Sequence, residues 1–236
     1  MLVTTSSLWQ TNAVAVRSDG EAMLIDSPYF PDEIELLPEV LKQSGFEPAG
    51  LLATHADWDH LLGRLAFPEA SLGVCESTGM RLRGEPGVAQ KRLREADDEY
   101  YVTRARPLSL GSYQVLPVPG KLEIGSEELE LYPAEGHTGD GMAIFARWCG
   151  VLVCGDYLSD VEIPTYTDRE LYRTTLERFR PLVEDAEAVV PGHGSPLAQE
   201  DALRILEEDL AYLETGSLPA GRDNPAQRRM HERNPA

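Results

Sequence analysis

Four side chains of types that bind metal ions occupy the six residues from His55 to His60. The segment reads His-Ala-Asp-Trp-Asp-His and directly follows a short apolar run that ends at Thr54. A strand ending there delivers the motif into a tight turn, in which alternate residues can point to one spot. The chain must therefore fold so that a strand opens into a polar, metal-binding loop.

Three further candidate ligands lie downstream, each in a glycine-rich segment. They are His137 in Gly-His-Thr-Gly, Asp156 in Cys-Gly-Asp and His193 in Pro-Gly-His-Gly. Glycine adopts backbone conformations that other residues resist, and it leaves room for an ion. Seven nitrogen and oxygen ligands are too many for one tetrahedral ion. The set therefore favours two ions that share a bridging carboxylate.

Short apolar runs alternate with helical patterns over the first 215 residues. Runs rich in Val, Ile, Leu and aromatic residues predict strands at 13–16, 23–25, 51–54, 72–75, 113–118, 129–132, 142–148, 151–154 and 188–190. Helical spacing predicts helices around 34–41, 171–179 and 203–213. This alternation predicts an α/β layered fold with the candidate ligands on loops at strand ends.

The boundaries of two helices follow from proline, serine and glycine. Pro38 should kink or shorten the first helix, because a proline inside a helix removes a hydrogen bond. Ser195 should cap the last helix, Pro196 should take its first position and Gly216 should end it. Residues 1–215 are expected to form one domain.

Two segments lack a clear apolar period. Residues 76–106 are charged and partly helical, and we expect them to cross the surface near the site. Residues 216–236 are rich in Pro, Arg and Asn, and we expect a loose tail or an arm that packs on a partner chain. Either segment is an expected place for a homodimer contact.

Charge and hydropathy exclude several classes of partner. Lys and Arg number 21 against 40 Asp and Glu, a net charge of −19 that repels nucleic acid and anionic membranes. No apolar run approaches the roughly 18–20 residues that span a bilayer, and the first ten residues do not resemble a signal peptide. We therefore expect a cytoplasmic protein with a small-molecule substrate. Three cysteines without paired spacing predict no disulfide framework.

The order of the candidate ligands resembles that of the metallo-beta-lactamase-fold metallohydrolases. Their signature is His-x-His-x-Asp-His, then a later His, a later Asp and a final His. An early strand ending in Leu-Ile-Asp26 also resembles the family's first motif, and the resemblance covers residues 10–214. It implies a four-layered αβ/βα sandwich of two mixed β-sheets flanked by helices. It also implies a dimetal site at one sheet edge and hydrolysis by a bridging hydroxide.

Carried over position by position, the resemblance implies a role for each ligand. The first ion would bind His55, Asp57 and His137. The second would bind Asp59, His60 and His193, with Asp156 bridging the two.

Asp57 departs from the family pattern, in which this position is histidine. A carboxylate raises affinity for harder ions such as manganese or iron and lowers the Lewis acidity of the ion. In the diiron, oxygen- and nitric-oxide-reducing branch, a Glu takes this place; that branch carries a flavin domain, which we do not expect here. We expect two divalent ions, with zinc first and iron or manganese as alternatives. A supporting role for Asp57, without direct ligation, is the other interpretation.

Other residues near the motifs have predicted supporting roles. Three are expected to hold ligands by hydrogen bonding: Asp26, Thr54 and Thr138. Asp59 is expected to orient the attacking hydroxide as well as to bind metal, with a ligand-only role as the alternative. Tyr157 is a candidate donor of a hydrogen bond to an oxyanion, with packing in the core or at the rim as the alternative. Three aromatic residues are candidates for the wall of the substrate pocket, with packing as the alternative for each: Trp58, Tyr29 and Phe30.

The predicted function is hydrolysis of a small-molecule ester, thioester, lactone or phosphoester by a binuclear metal centre. Metal-bound water has a pKa near 7, so no separate protein base is required. One alternative is a non-haem iron enzyme that uses oxygen, since two histidines and one carboxylate suit that chemistry. Another is a non-catalytic metal-binding member of the fold. Specificity depends on loop shape, which the sequence does not give.

Overall fold

In the computed structural model, which describes residues 1–235, twelve strands form two mixed sheets. The strands of the first sheet lie side by side in chain order: β1 Leu2–Thr5, β2 Asn12–Ser18, β3 Glu21–Asp26, β4 Pro48–Leu52, β5 Ser71–Cys75 and β6 Gln114–Leu116. The pairs β1–β2 and β2–β3 are antiparallel, and the strands from β3 to β6 are parallel. The carboxyl ends of β3, β4 and β5 therefore meet at one edge.

The second sheet has the strand order β12-β11-β10-β9-β8-β7. Its members are β7 Gly120–Ile124, β8 Glu127–Pro133, β9 Met142–Ala146, β10 Val151–Val153, β11 Ala188–Val190 and β12 Leu197–Ala198. The pair β10–β11 is parallel and the other pairs are antiparallel. The ends of β10 and β11 thus lead to the same edge.

Seven α-helices lie in the described residues: α1 Pro31–Gln43, α2 Gly63–Ala66, α3 Glu76–Gly84, α4 Val88–Glu99, α5 Arg169–Asp185, α6 Gln199–Thr215 and α7 Pro225–Arg233. The carboxylate of Asp168 caps α5 by accepting hydrogen bonds from two backbone amides. Gly216 ends α6 in the left-handed region at φ 71°, as predicted. None of these helices is long and apolar enough to cross a membrane.

Strand β2 shows how the layers are built. Val14 and Val16 point into the cluster between the sheets, whereas Ala13 and Ala15 point to the cluster under α1 and α4, because side chains alternate along a strand. A third buried cluster lies between the second sheet and the helices α5 and α6. The order helix, sheet, sheet, helix is the predicted αβ/βα sandwich.

Two details of the helices were predicted wrongly. Helix α1 runs unbroken through Pro38, because Ile34, Leu37 and Leu41 bury one face and offset the roughly 3 kcal/mol that an internal proline costs. Helix α6 begins after Ala198 rather than at Ser195 and Pro196. The chain stays extended there because β12 pairs with β11.

The C-terminal segment packs on its own domain, so the prediction of a loose tail is wrong for residues up to 235, and a contact with a partner chain stays a prediction. Gln227 accepts a hydrogen bond from the amide of Ile163 and donates one to the carbonyl of Val161. Arg222 donates to the carboxylate of Asp209 at 2.7 Å, and both side chains are buried. The segment thereby covers the loop 159–167.

Candidate metal centre

The seven candidate ligands converge where the two sheets meet. The motif loop leaves β4 and turns into a short 3-10 helix, Trp58–His60, which brings both histidines and both carboxylates of the motif to the edge of the first sheet. The other three ligands flank strands of the second sheet: His137 precedes β9, Asp156 follows β10 and His193 follows β11.

The carboxylate of Asp156 lies in the middle of the cluster. Its Oδ2 is 3.7 Å from Nε2 of His55 and 3.2 Å from Nε2 of His137. Its Oδ1 is 3.1 Å from Nε2 of His60 and 3.5 Å from Nε2 of His193. Each oxygen thus faces a different pair of imidazoles, which is the arrangement of a bridging carboxylate.

Each pair of imidazoles has a further carboxylate on its outer side. Asp57 Oδ2 is 3.9 Å from Nε2 of His55 and 4.0 Å from Nε2 of His137. Asp59 Oδ2 lies 3.8 Å from His60 Nε2 and 3.4 Å from His193 Nε2. Within each of the resulting groups, one ligand atom per residue lies within 4.8 Å of the others. The groups are those implied by the family resemblance: His55, Asp57 and His137, and Asp59, His60 and His193.

The donor atoms fit divalent ions. Two ligands bound at 2.0–2.2 Å to one tetrahedral ion lie about 3.4 Å apart, close to the distances above. Among residues 1–235, Nε2 of His55, Nε2 of His60 and Oδ1 of Asp156 are buried without a hydrogen-bond partner. Such atoms cost about 1–3 kcal/mol each. The fold leaves these atoms, all of ligand type and all facing one centre, for a metal to bind.

Asp26 holds His60 in place. Its Oδ2 lies 2.8 Å from Nδ1 of His60 and accepts a hydrogen bond from the hydroxyl of Thr54, while its Oδ1 accepts from the backbone amide of Thr54. Asp26 is buried and has φ 58°, a left-handed conformation that is uncommon outside glycine. A proton on Nδ1, paired to this carboxylate, would leave the lone pair of Nε2 for a metal ion at the centre.

Backbone and hydroxyl groups orient the other imidazoles. Nδ1 of His137 lies 2.7 Å from the carbonyl oxygen of Thr165, and Nδ1 of His193 lies 3.3 Å from the hydroxyl of Thr11. Thr54 Oγ1 is 3.2 Å from Nδ1 of His55. All these contacts leave Nε2 directed inward.

The charges of the cluster shift one another's titration. Burial alone would raise the pKa of Asp156, but the surrounding imidazoles, His60 first, hold it well below its usual value. Burial lowers the pKa of His137, but the carboxylates of Asp156 and Asp57 outweigh it and raise the pKa to about 9. The carboxylates draw positive charge to the centre, which protons or a metal ion can supply.

Tyr157 does not have the predicted oxyanion role. Its side chain is buried, and its hydroxyl donates to the carbonyl of Glu135 at 2.8 Å and accepts from the amide of His137 at 3.0 Å. Its proton is therefore committed within the protein, and the ring stacks on Tyr172. Tyr157 supports the backbone of His137.

The three predicted pocket aromatics pack together instead of lining an open cleft. Tyr29 is fully buried and donates its hydroxyl to Asp97. Trp58 is 9% exposed, and both Trp58 and Phe30 contact Tyr29 edge to face. The exposed aromatic near the centre is Trp9, which is 40% exposed and has its ring 6.3 Å from that of His193.

Two polar residues near the ligands were not identified from the sequence as part of the site. Arg81 of α3 donates to Asp57, and Asp140 accepts from the backbone amide of Ala56. Thr138, predicted to support the site, donates to Asp140. The spacing of Asp140, three residues after His137 and between two glycines, is the one sequence signal that could have identified it.

Comparisons with known proteins agree with this geometry. A family model described as the metallo-beta-lactamase superfamily matches residues 7–193. A metallo-beta-lactamase from Pontibacter korlensis is 20% identical with a TM-score of 0.66, over 87% of each chain. A metallo-beta-lactamase family protein from Thermus thermophilus is 20% identical with a TM-score of 0.67, over 90% of this chain and 79% of that chain. The protein TTHA1623, solved in a di-iron-bound form, is 20% identical with a TM-score of 0.62, over 87% of this chain and 98% of that chain. At these identities the solved structures show a shared fold.

Proposed function

The chain belongs to the metallo-beta-lactamase superfamily, and from that premise we propose that it is a binuclear metallohydrolase. The observation that carries the proposal is the position of Asp156, which turns one carboxylate oxygen toward each group of ligands. In this proposal His55, Asp57 and His137 would hold the first ion. Asp59, His60 and His193 would hold the second, and Asp156 would contribute a ligand to each group.

The donor set suits zinc, with iron and manganese as alternatives. Bound ions supply a water nucleophile of lowered pKa and polarise an oxygen of the substrate. The protein's part is to fix the ligands before substrate arrives, which Asp26 does for His60 and the carbonyl of Thr165 does for His137. Asp59 is the proposed residue that orients the nucleophile, since its side chain is nearly buried and its Oδ2 lies at the centre, 3.4 Å from Nε2 of His193.

The proposed substrate is a small molecule with an ester, thioester, lactone or phosphoester bond. Trp9 presents a half-exposed ring beside His193, which favours a substrate with an apolar part near the bond that is cleaved. The net charge of −19 disfavours polyanionic substrates such as nucleic acid.

The test is metal analysis joined to an activity screen. Protein purified without added metal is analysed by inductively coupled plasma mass spectrometry and assayed on chromogenic esters, thioesters, lactones and phosphoesters. We expect two metal ions per chain and hydrolysis that a chelator abolishes. The variants Asp156→Ala and His60→Ala should lose metal and activity while keeping the circular dichroism spectrum of the wild type.

Asp185→Ala is the matched control, because Asp185 forms an exposed ion pair with Arg147 away from the centre. It should keep both metal and activity. Full metal content in both Asp156→Ala and His60→Ala would contradict the proposed centre. Intact metal binding without hydrolysis on any substrate class would favour a non-catalytic member of the fold.

A second candidate is an iron enzyme that uses oxygen. The carboxylate at Asp57 favours it because harder ions prefer oxygen ligands, and one similar structure is di-iron-bound. Iron in the purified protein, together with oxygen uptake, would support this candidate. A colourless zinc protein that cleaves esters would exclude it.

A further inference from the structure

Arg81 forms a hydrogen bond with one of the two carboxylate oxygens of Asp57. Its Nη2 donates to Asp57 Oδ1 at 2.6 Å, while Asp57 Oδ2 faces the imidazoles of His55 and His137. The side chains of Arg81 and Asp57 are 17% and 21% exposed, so water competes little for this pair. Arg81 therefore takes Oδ1, and Oδ2 is the oxygen of Asp57 that lies near the two imidazoles.

The guanidinium of Arg81 also forms a hydrogen bond with a second carboxylate, that of Asp140. The Nη1 group donates to Asp140 Oδ1 at 2.7 Å. Asp140 is 1% exposed, and it also accepts from the backbone amide of Ala56 and the hydroxyls of Thr78 and Thr138. The planar fork of arginine can join two carboxylates in a fixed geometry, which a lysine ammonium cannot do. Arg81 thus links the ligand loop to a rigid buried acid.

We propose that Arg81 is a positioning residue that restricts Asp57 to one ligand oxygen and thereby favours zinc over harder ions at the first metal site. The inference rests on the proposed metal centre and assigns its metal preference to a residue outside the ligand set. A carboxylate with both oxygens free can bind an ion through both, which suits ions of higher coordination number. Arg81 blocks that mode and also offsets the charge that Asp57 adds.

The experiment is a competition between two metals in the absence of substrate. Protein stripped by chelation is dialysed against buffered Zn²⁺ with a fixed excess of Mn²⁺, and both metals are then measured by mass spectrometry. In Arg81→Met the ratio of bound manganese to bound zinc should rise about tenfold, a change as large as the smallest loss of metal affinity that is typical when an outer partner of a metal ligand is removed. The signal of bound Mn²⁺ in electron paramagnetic resonance should rise with it.

A matched control separates this effect from the general loss of a buried arginine. Arg104 pairs with Asp97 from the same stretch of chain, its side chain is 7% exposed, and Asp97 lies outside the ligand groups. Arg104→Met should leave the metal ratio unchanged. Circular dichroism shows whether each variant folds, and where Arg81→Met does not, Arg81→Lys replaces it with the same expected direction of change.

A double-mutant comparison tests whether Arg81 acts through the second carboxylate oxygen of Asp57. In the Asp57→His background there is no second oxygen to restrict, so adding Arg81→Met should not change the ratio. An unchanged ratio in Arg81→Met, or an equally large change in the Asp57→His background, would overturn the inference. Failure of the wild type to bind any metal would instead overturn the proposed function, so the two failures are distinguishable.

Discussion

Replacing Asp26 by Asn exchanges one carboxylate oxygen for an NH2 group. The variant tests whether the hydrogen bond to Asp26 sets the protonation of His60 that metal binding requires. Asn tolerates the left-handed conformation found at φ 58°, and its amide oxygen can still accept from the amide of Thr54. The amide NH2 group would then face Nδ1 of His60, where a carboxylate oxygen now lies at 2.8 Å. A donor there requires an unprotonated Nδ1, which moves the proton to Nε2 and removes the lone pair that would bind metal.

The magnitude follows from the bond that is lost. A hydrogen bond to a charged group contributes about 1.5–3 kcal/mol, which corresponds to a roughly 10- to 150-fold change in an equilibrium constant. Loss of an outer partner of a metal ligand typically costs about 10- to 100-fold in affinity. We therefore expect Asp26→Asn to lower the binding affinity for one of the two metal ions by roughly 10- to 100-fold. The affinity for the other ion should stay closer to that of the wild type.

Competition with a chromogenic chelator measures the two affinities, and urea unfolding of the metal-free protein shows whether the fold is kept. Asp19→Asn is the matched control, because Asp19 is an exposed aspartate that also has positive φ, 44°, in the turn between β2 and β3. It should bind metal as the wild type does. Wild-type affinity for both ions in Asp26→Asn would refute the role assigned to Asp26.

Three further predictions concern residues around the centre. Tyr157→Phe should leave kcat within about tenfold of wild type, whereas loss of an oxyanion donor lowers kcat about 10²–10³-fold; a larger fall in kcat would support the oxyanion role. The metal-free variant should lose about 1–3 kcal/mol of unfolding free energy, because the amide of His137 loses its hydrogen-bond partner. Trp9→Ala should raise KM more than it lowers kcat for substrates with an apolar group, since it removes ground-state binding; an unchanged KM would contradict this. Burial raises the pKa of Asp209 to about 7, although the positive charge of Arg222 lowers it. The folded state therefore binds this proton more tightly than the unfolded state does. The stability that protonated Asp209 contributes is complete below about pH 4 and is lost as the pH rises toward 7. The unfolding free energy of wild type relative to Asp209→Asn should therefore fall between about pH 4 and pH 7 in urea denaturation, and a rise would show that the ion pair with Arg222 prevails.

The candidate ligands could be identified from the sequence because each adjoins a strand whose apolar residues mark it. Leu51 and Leu52 lead to His55, Val153 leads toward Asp156, and Val190 leads to His193. Two of the strands that the sequence did not predict lack a continuous apolar run. The side chains of β7 Gly120–Ile124 alternate between exposed and partly buried up to Ile124, and β12 Leu197–Ala198 has only two residues. Their pairing comes from the neighbouring strand, which local sequence does not encode.

Some polar residues that act through tertiary contacts could not be predicted. Arg81 looks like one of many charges on a surface segment, and only the docking of α3 brings it to Asp57. The C-terminal segment has little apolar pattern because it attaches through buried polar groups. Arg222 and Gln227 are 3% and 5% exposed, yet in sequence they resemble solvated residues. Buried polar networks have no periodicity to reveal them.

The centre depends on how the sheets meet more than on any single loop. The amide of Met142, which begins β9, donates to the carbonyl of Thr54 at 2.7 Å, and the amide of Asn12 donates to the carbonyl of Gly192 at 2.8 Å. These backbone bonds join the first sheet directly to the segments that carry His137 and His193. The separation of ligands from opposite sheets is therefore set by regular structure, which is the precision that a metal centre requires. For the proposed hydrolase, this division predicts that substrate specificity depends on exposed side chains such as Trp9, while the backbone fixes the positions of the candidate ligands.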